Sequence, residues 1–144
     1  MTSPSSTTDV WHIGSTPLHS RFLLGTAGYP SPDVLRQAIE ASGSQVLTLG
    51  LKRTLAAPGG GDNGFVQIIR DTAQAHGAHL LPNTAGCRSA QEAITLAHMA
   101  RELLGTHWIK LEVVGDEQTL QPDPFELVAA AAQLIRDGFE VLPY

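Results

Sequence analysis

Trp108-Ile109-Lys110-Leu111-Glu112-Val113-Val114-Gly115-Asp116 sets two ionisable side chains inside a run that otherwise has the composition of a buried strand. Side chains alternate faces along a strand, so Lys110 and Glu112 share one face with Trp108 and Val114, while Ile109, Leu111 and Val113 form the other. In a parallel sheet covered by helices, the wholly apolar face packs on the helices and Lys110 and Glu112 point to the opposite, enclosed side. The bland alternative is a solvent-facing edge strand, or an ion pair that satisfies itself and does no chemistry. Taking charge out of water costs several kcal/mol even after relaxation, so an enclosed pair is kept for a partner or for a use. The chain on either side decides between these readings.

From Arg21 onward, short apolar runs alternate with amphipathic segments that end in glycine. Gly43, Gly77, Gly105 and Gly138 each follow a helix-like segment and precede a strand-like run by one to three residues, the place of a left-handed residue closing a helix. Their spacings of 34, 28 and 33 residues are the length of a βα unit. The strands fall at 22–25, 45–49, 79–82, 108–114 and 139–143. Helix starts carry matching caps: Ser31 before Pro32, a capping box of Ser89 and Glu92, and Asp123 with Pro124 and Glu126. Ala90, Ala93, Ile94, Ala97, Ala100 and Leu104 form a 3.6-residue stripe that would lie on the sheet. Strand and helix in strict alternation predict an α/β fold with a parallel sheet and right-handed crossovers.

Two parallel architectures fit. Four and a half βα units complete an open doubly wound sheet, but only about half of a (βα)₈ TIM-type barrel of roughly 250 residues. Both place ligands beyond the C-terminal ends of the strands, where polar residues collect here. Turn chemistry accounts for Gly28, Gly86 and Gly115; Lys52, Arg53, Asn83 and Thr84 are candidate substrate-binding residues by position.

Composition narrows the partners. The 144 residues are 42% hydrophobic, enough for one core, and carry a net charge of −5 with no basic run. Nucleic acid and anionic membrane are therefore excluded as partners, leaving small molecules or another protein. The single cysteine, Cys87, and an N-terminus whose first basic residue is Arg21 suit a reducing cytoplasm without signal or transit peptide. The apolar stretch 125–135 contains Glu126 and Gln133 and falls far short of a bilayer of roughly 30 Å. The six histidines show no metal-ligand spacing with Cys87 or with each other, so no metal is expected. Residues 1–9 read as a disordered tail and 10–144 as one domain. Two apolar pieces around Gly14-Ser15 predict a hairpin lid, and the glycine-rich 57–63 reads as a flexible loop, a possible second lid, lacking the Gly-Lys-Ser/Thr ending of a phosphate loop.

Taken in order, Ser20-Arg21-Phe22-Leu23-Leu24-Gly25-Thr26, Leu81-Pro82-Asn83-Thr84-Ala85-Gly86, Trp108-Ile109-Lys110-Leu111-Glu112-Val113 and Leu120-Gln121-Pro122-Asp123-Pro124 resemble thiazole synthase of thiamine biosynthesis, over about residues 10–144. The resemblance implies a (βα)₈ barrel that joins 1-deoxy-D-xylulose 5-phosphate, a glycine-derived imine and sulfur from a carrier protein's C-terminal thiocarboxylate into the thiazole phosphate, with no metal or organic cofactor. It makes Lys110 the residue that forms a Schiff base with the sugar ketone, and Glu112 the neighbouring acid/base. An amine adds to a ketone only when unprotonated, and apolar enclosure works against an ammonium. A carboxylate two residues on, roughly 7 Å along the strand, can shuttle protons during enolisation. The family continues for about three further βα units, which hold another acid/base aspartate and the phosphate-binding glycine loops. The chain is thus expected to be the N-terminal half of a thiazole synthase, inactive alone, with an open edge that favours homo-oligomers. The rival readings are a non-catalytic half-barrel module for the sulfur carrier or for self-association, and a complete open-sheet lysine enzyme of aldolase type.

Overall fold

The computed structural model describes residues 9–52 and 64–144. A hairpin, β1 (Trp11–Ile13) and β2 (Thr16–Leu18), leads into β3 (Leu23–Gly25), α1 (Pro32–Ser42), β4 (Val46–Gly50), α2 (Gly64–Ala75), β5 (His79–Asn83), α3 (Ala90–Leu104), β6 (Trp108–Leu111), α4 (Pro124–Arg136) and β7 (Glu140–Pro143). The last five strands form one sheet in the order β3-β4-β5-β6-β7, every neighbouring pair parallel. Each new strand joins the same edge as the one before. A doubly wound sheet reverses its order at a switch point; this one does not, so the open-sheet alternative is set aside and the strands are five staves of a barrel-type sheet.

The two faces of the sheet have different fates. Leu24, Leu47, Leu49, Leu80, Ile109 and Leu111 pack in one core with Leu35 and Ile39 of α1, Ile69 of α2, Ala93 and Ala97 of α3, and Leu134 of α4. All four helices therefore cover the same, convex face, as the alternation along β6 predicts. On the concave face, Val46, Leu81 and Trp108 pack with Ile13 and Leu18 of the hairpin. The hairpin forms where the sequence places it, but it is not a lid. It seats on Val46 and Trp108, the first residues of β4 and β6, and so floors the barrel at the end away from the strands' C-termini. Gly14, with φ of 57°, turns it where any Cβ would meet the Glu140 carboxylate at 2.6 Å.

Helix starts follow the predicted caps. Ser31 Oγ accepts from Val34 N–H at 3.3 Å, Ser89 Oγ from Glu92 N–H at 3.2 Å, and Asp123 Oδ1 from both Phe125 and Glu126 N–H at 3.0 Å. Two carboxylates reach further than a capping box would. Glu92 accepts from Arg88 N–H at 2.8 Å, and Glu126 crosses to the first N–H of the neighbouring helix, Ala90, at 2.6 Å. The four predicted closing glycines all have φ between 60° and 85°. At the other end of the α3–α4 pair, Arg101 Nη2 donates to His98 Nδ1 at 2.8 Å. A guanidinium only donates, so His98 Nε2 carries the proton it shares with Asp137 Oδ2 at 2.9 Å.

Strand β6 is shorter than predicted: it ends at Leu111, and Val114 makes only an isolated antiparallel bridge to Pro122. The reason is a change of partner. Gly115 N–H donates to Gln121 O at 2.9 Å and Asp123 N–H to Val113 O at 2.9 Å, so the segment turns to its own downstream loop. Gly115 is needed there, since a Cβ would stand 3.0 Å from the Asp123 backbone nitrogen. The predicted tail, residues 1–8 of it, and the loop 57–63 lie outside the described residues; Asp9 itself pairs with Arg21 at 2.7 Å. No described helix is long and apolar enough to cross a membrane.

Leu18 has 0% exposure between hairpin and sheet. Leu18→Ala should cost about 2–5 kcal/mol in urea unfolding, whereas Phe125→Ala, at a side chain 85% exposed, should stay within about 0.5 kcal/mol.

Candidate functional site

Lys110 and Glu112 stand on the concave face near the C-terminal end of β6, with Lys110 in register with Asn83 of β5 and Leu142 of β7. Lys110 Nζ lies 3.5 Å from Glu112 Oε1, the two side chains being 38% and 15% exposed. The side of the sheet is the predicted one, but the dry enclosure is not there. Five strands leave the concave face open, and the lysine side chain reaches solvent. The ring of Tyr144 lies 5.3 Å from the ammonium; as a residue just past β7, it gave no signal in the sequence that would join it to Lys110.

The backbone that carries this pair is held from β5. Thr84 N–H donates to Lys110 O at 3.1 Å. Its hydroxyl donates to Glu112 O and accepts from Glu112 N–H, each at 2.8 Å. Thr84 is 0% exposed, so it stands behind the concave face and presents no surface to a ligand. Three residues further, Cys87 N–H donates to Thr84 O at 3.1 Å and Cys87 O accepts from Val114 N–H at 2.7 Å. The turn after β5 thus replaces the ladder that β6 lacks. Thr26 does the same for the turn after β3, its hydroxyl and amide both donating to Thr48 O.

The other candidates fall in different places. Asn83 lies beside Lys110 and is half-buried, its Oδ1 accepting from Ala85 N–H at 3.2 Å. Lys52 is tied elsewhere: its Nζ donates to Gly86 O at 2.6 Å and pairs with Glu92 at 2.5 Å. That hydrogen bond holds the Glu92 carboxyl below its ordinary range. Arg53 lies outside the described residues. Among the described residues, no three His, Cys, Asp or Glu side chains gather as a metal-binding group.

Asp116 heads the turn after the site, its Oδ1 accepting from Thr119 and Gln118 N–H at 2.8 Å, which keeps its carboxyl low. Cys87 is the opposite case. Burial pushes its thiol up to about 11, Glu92 and Glu112 add to the rise, and Lys52 opposes it.

A parallel sheet of five sequential strands with all its helices on one face defines the class: proteins built on the βα-barrel. The model of the family described as thiazole biosynthesis protein ThiG matches residues 12–144. This chain belongs to that family. It is 52% identical to a thiazole synthase of Coxiella burnetii over 135 residues, which are 94% of this chain and 50% of the relative. It is 57% identical to that of Variovorax paradoxus over 128 residues, 88% of this chain and 45% of the relative. The chain therefore spans about half the length of the curated relatives it matches. Among solved structures, the crystal structure of the Amycolatopsis orientalis BexX/CysO complex matches with a TM-score of 0.69 at 25% identity, covering 92% of this chain and 52% of that one. A type I 3-dehydroquinate dehydratase from Clostridium difficile matches with a TM-score of 0.57 at 13% identity over 84% and 49%, a likeness of fold alone.

In the native chain at pH 8, iodoacetamide should leave Cys87 almost unmodified and should label it readily once urea exposes it. The sign for stability follows. The unfolded thiol ionises near 9.0 and the folded one near 11, so the contribution is complete below the first value and is lost as pH rises through the second.

Proposed function

We propose that this chain carries the Schiff-base portion of a thiazole synthase site, with Lys110 as the nucleophile and Glu112 as its acid/base. The observation that carries the reading is the 3.5 Å contact between Lys110 Nζ and Glu112 Oε1 on the concave face at the strand ends, in a chain of this family. The neutral amine adds to the ketone carbon of 1-deoxy-D-xylulose 5-phosphate. The carbonyl oxygen takes up two protons and leaves as water, and the carbon–nitrogen double bond forms. Glu112 is close enough to receive the ammonium proton first and to return protons later, in the enolisation that prepares the sugar for the glycine-derived imine and for sulfur.

Asn83 stands beside the lysine and is the substrate-binding candidate that the geometry favours. Lys52 and Thr84 act instead through the loops they hold. Sulfur arrives, in this reading, as the C-terminal thiocarboxylate of a carrier protein; that BexX was solved with a second protein, CysO, supports a protein partner. The apolar, exposed Phe125, Val128 and Ile135 on α4 support a second subunit on the helical side, and the setting proposed for the chain is the cytoplasm. The turnover of the whole family reaction is not assigned to this chain alone, since it spans about half of its relatives. The openness of the concave face supports the rival reading, a binding module for the carrier, which predicts carrier capture with no covalent sugar adduct.

Borohydride reduction with saturating 1-deoxy-D-xylulose 5-phosphate should leave a mass adduct on the peptide containing Lys110. Lys110→Ala should abolish it, and Glu112→Gln should slow its formation by about 10²–10⁴. An adduct located on Lys52, or none in a full-length relative carrying the matching lysine, would overturn the imine role.

A further inference from the structure

We propose that Thr84 is a positioning residue for Glu112, whose hydroxyl sets the separation between the Lys110 ammonium and the Glu112 carboxylate from behind the sheet. It extends the proposed function, and only its catalytic consequence rests on that reading. β5 and β6 share only the Asn83–Lys110 register pair before β5 ends. The chain then turns, with Asn83 Oδ1 taking the Ala85 N–H, so β5 offers no backbone partner to Glu112. Both backbone groups of Glu112 would be orphaned where Thr84 is fully buried. One hydroxyl satisfies both: it accepts from Glu112 N–H and donates to Glu112 O at 2.8 Å, while Thr84 N–H holds Lys110 O at 3.1 Å.

A hydroxyl has one proton to give, and here it is given to Glu112 O. That leaves Thr84 no donor for a ligand and turns it into a two-way clamp. The clamp acts on the residue whose side chain meets Lys110 Nζ at 3.5 Å. Valine has the shape of threonine without either bond, so it should free Glu112 to swing from the lysine; serine keeps the hydroxyl. With the carboxylate withdrawn, Lys110 loses the group proposed to take its ammonium proton and should form an imine with an aldehyde more slowly.

Lys52 and Lys110 are the only lysines in the chain, so reductive methylation carries its own reference in the Lys110-to-Lys52 labelling ratio. Thr84→Val should lower that ratio several-fold, Thr84→Ser should leave it as in the parent, and Glu112→Gln should lower it like Thr84→Val. Adding Thr84→Val to Glu112→Gln should then change nothing more. An unchanged ratio in folded Thr84→Val, or additive effects in the double variant, overturns the proposal. If Thr84→Val does not fold, amide exchange of Glu112 in the parent and in Thr84→Ser decides: slow exchange in both supports the clamp and fast exchange in either overturns it. No ketose phosphate enters these measurements, so failure here and failure of borohydride trapping are read separately.

Discussion

The sheet is organised by a single demand: each strand must bury one row of side chains, and sequential strand order puts every helix on the same side to do it. Leu47, Ile109 and Leu111 are 0% exposed beneath that layer, each stabilising by about 1.5–3 kcal/mol on burial. The convex side is thereby spent on packing. What stays available is the concave side, and it divides along the strands. At their starts, Val46, Leu81 and Trp108 are closed by the hairpin. At their ends stand Asn83 and Lys110, with Glu112 just past β6, and among the described residues no such plug covers them. Apolar packing and the polar strand ends are thus separated twice, across the sheet and along it.

The second requirement is hydrogen-bond satisfaction where the regular ladder stops. Parallel strands of unequal length leave backbone groups without ladder partners, and buried groups in that state are costly. This fold answers with side chains in the turns: Thr26 for the end of β3, Thr84 for the end of β6, and Lys52 for the carbonyl of Gly86. Such bonds hold the turns at the strand ends where the ladder has stopped. Reactive groups can then sit beyond the last ladder pair without being loose.

The lysine–carboxylate contact itself adds little to stability. A pair in which one side chain is more than a third exposed contributes about 0–1 kcal/mol, far less than any of the buried leucines. The arrangement is better understood through what it places together, an amine and a carboxylate 3.5 Å apart on the concave face. The buried thiol of Cys87 on the other side of the same turn shows the contrast: there, enclosure suppresses ionisation and leaves a packing residue.

Local chemistry was legible in the chain as written. The βα alternation, the caps at Ser31, Ser89 and Asp123, the left-handed glycines and the sidedness of Lys110 and Glu112 all depend on interactions within a few residues or on strict alternation, and so survive translation into one dimension. The choice between an open sheet and a barrel did not, because strand order is a long-range property that βα spacing leaves undetermined. Nor did the hairpin's place at the floor, the early end of β6, the reach of Glu126 to Ala90 or the commitment of Thr84 to Glu112. The hairpin's seat, the reach of Glu126 and the commitment of Thr84 join segments about 28 to 36 residues apart or more. The early end of β6 turns to partners only 6 to 10 residues on, Gly115 to Gln121 and Val113 to Asp123, but it too is set when parallel strands come into register and turns must find partners for their stranded backbone groups.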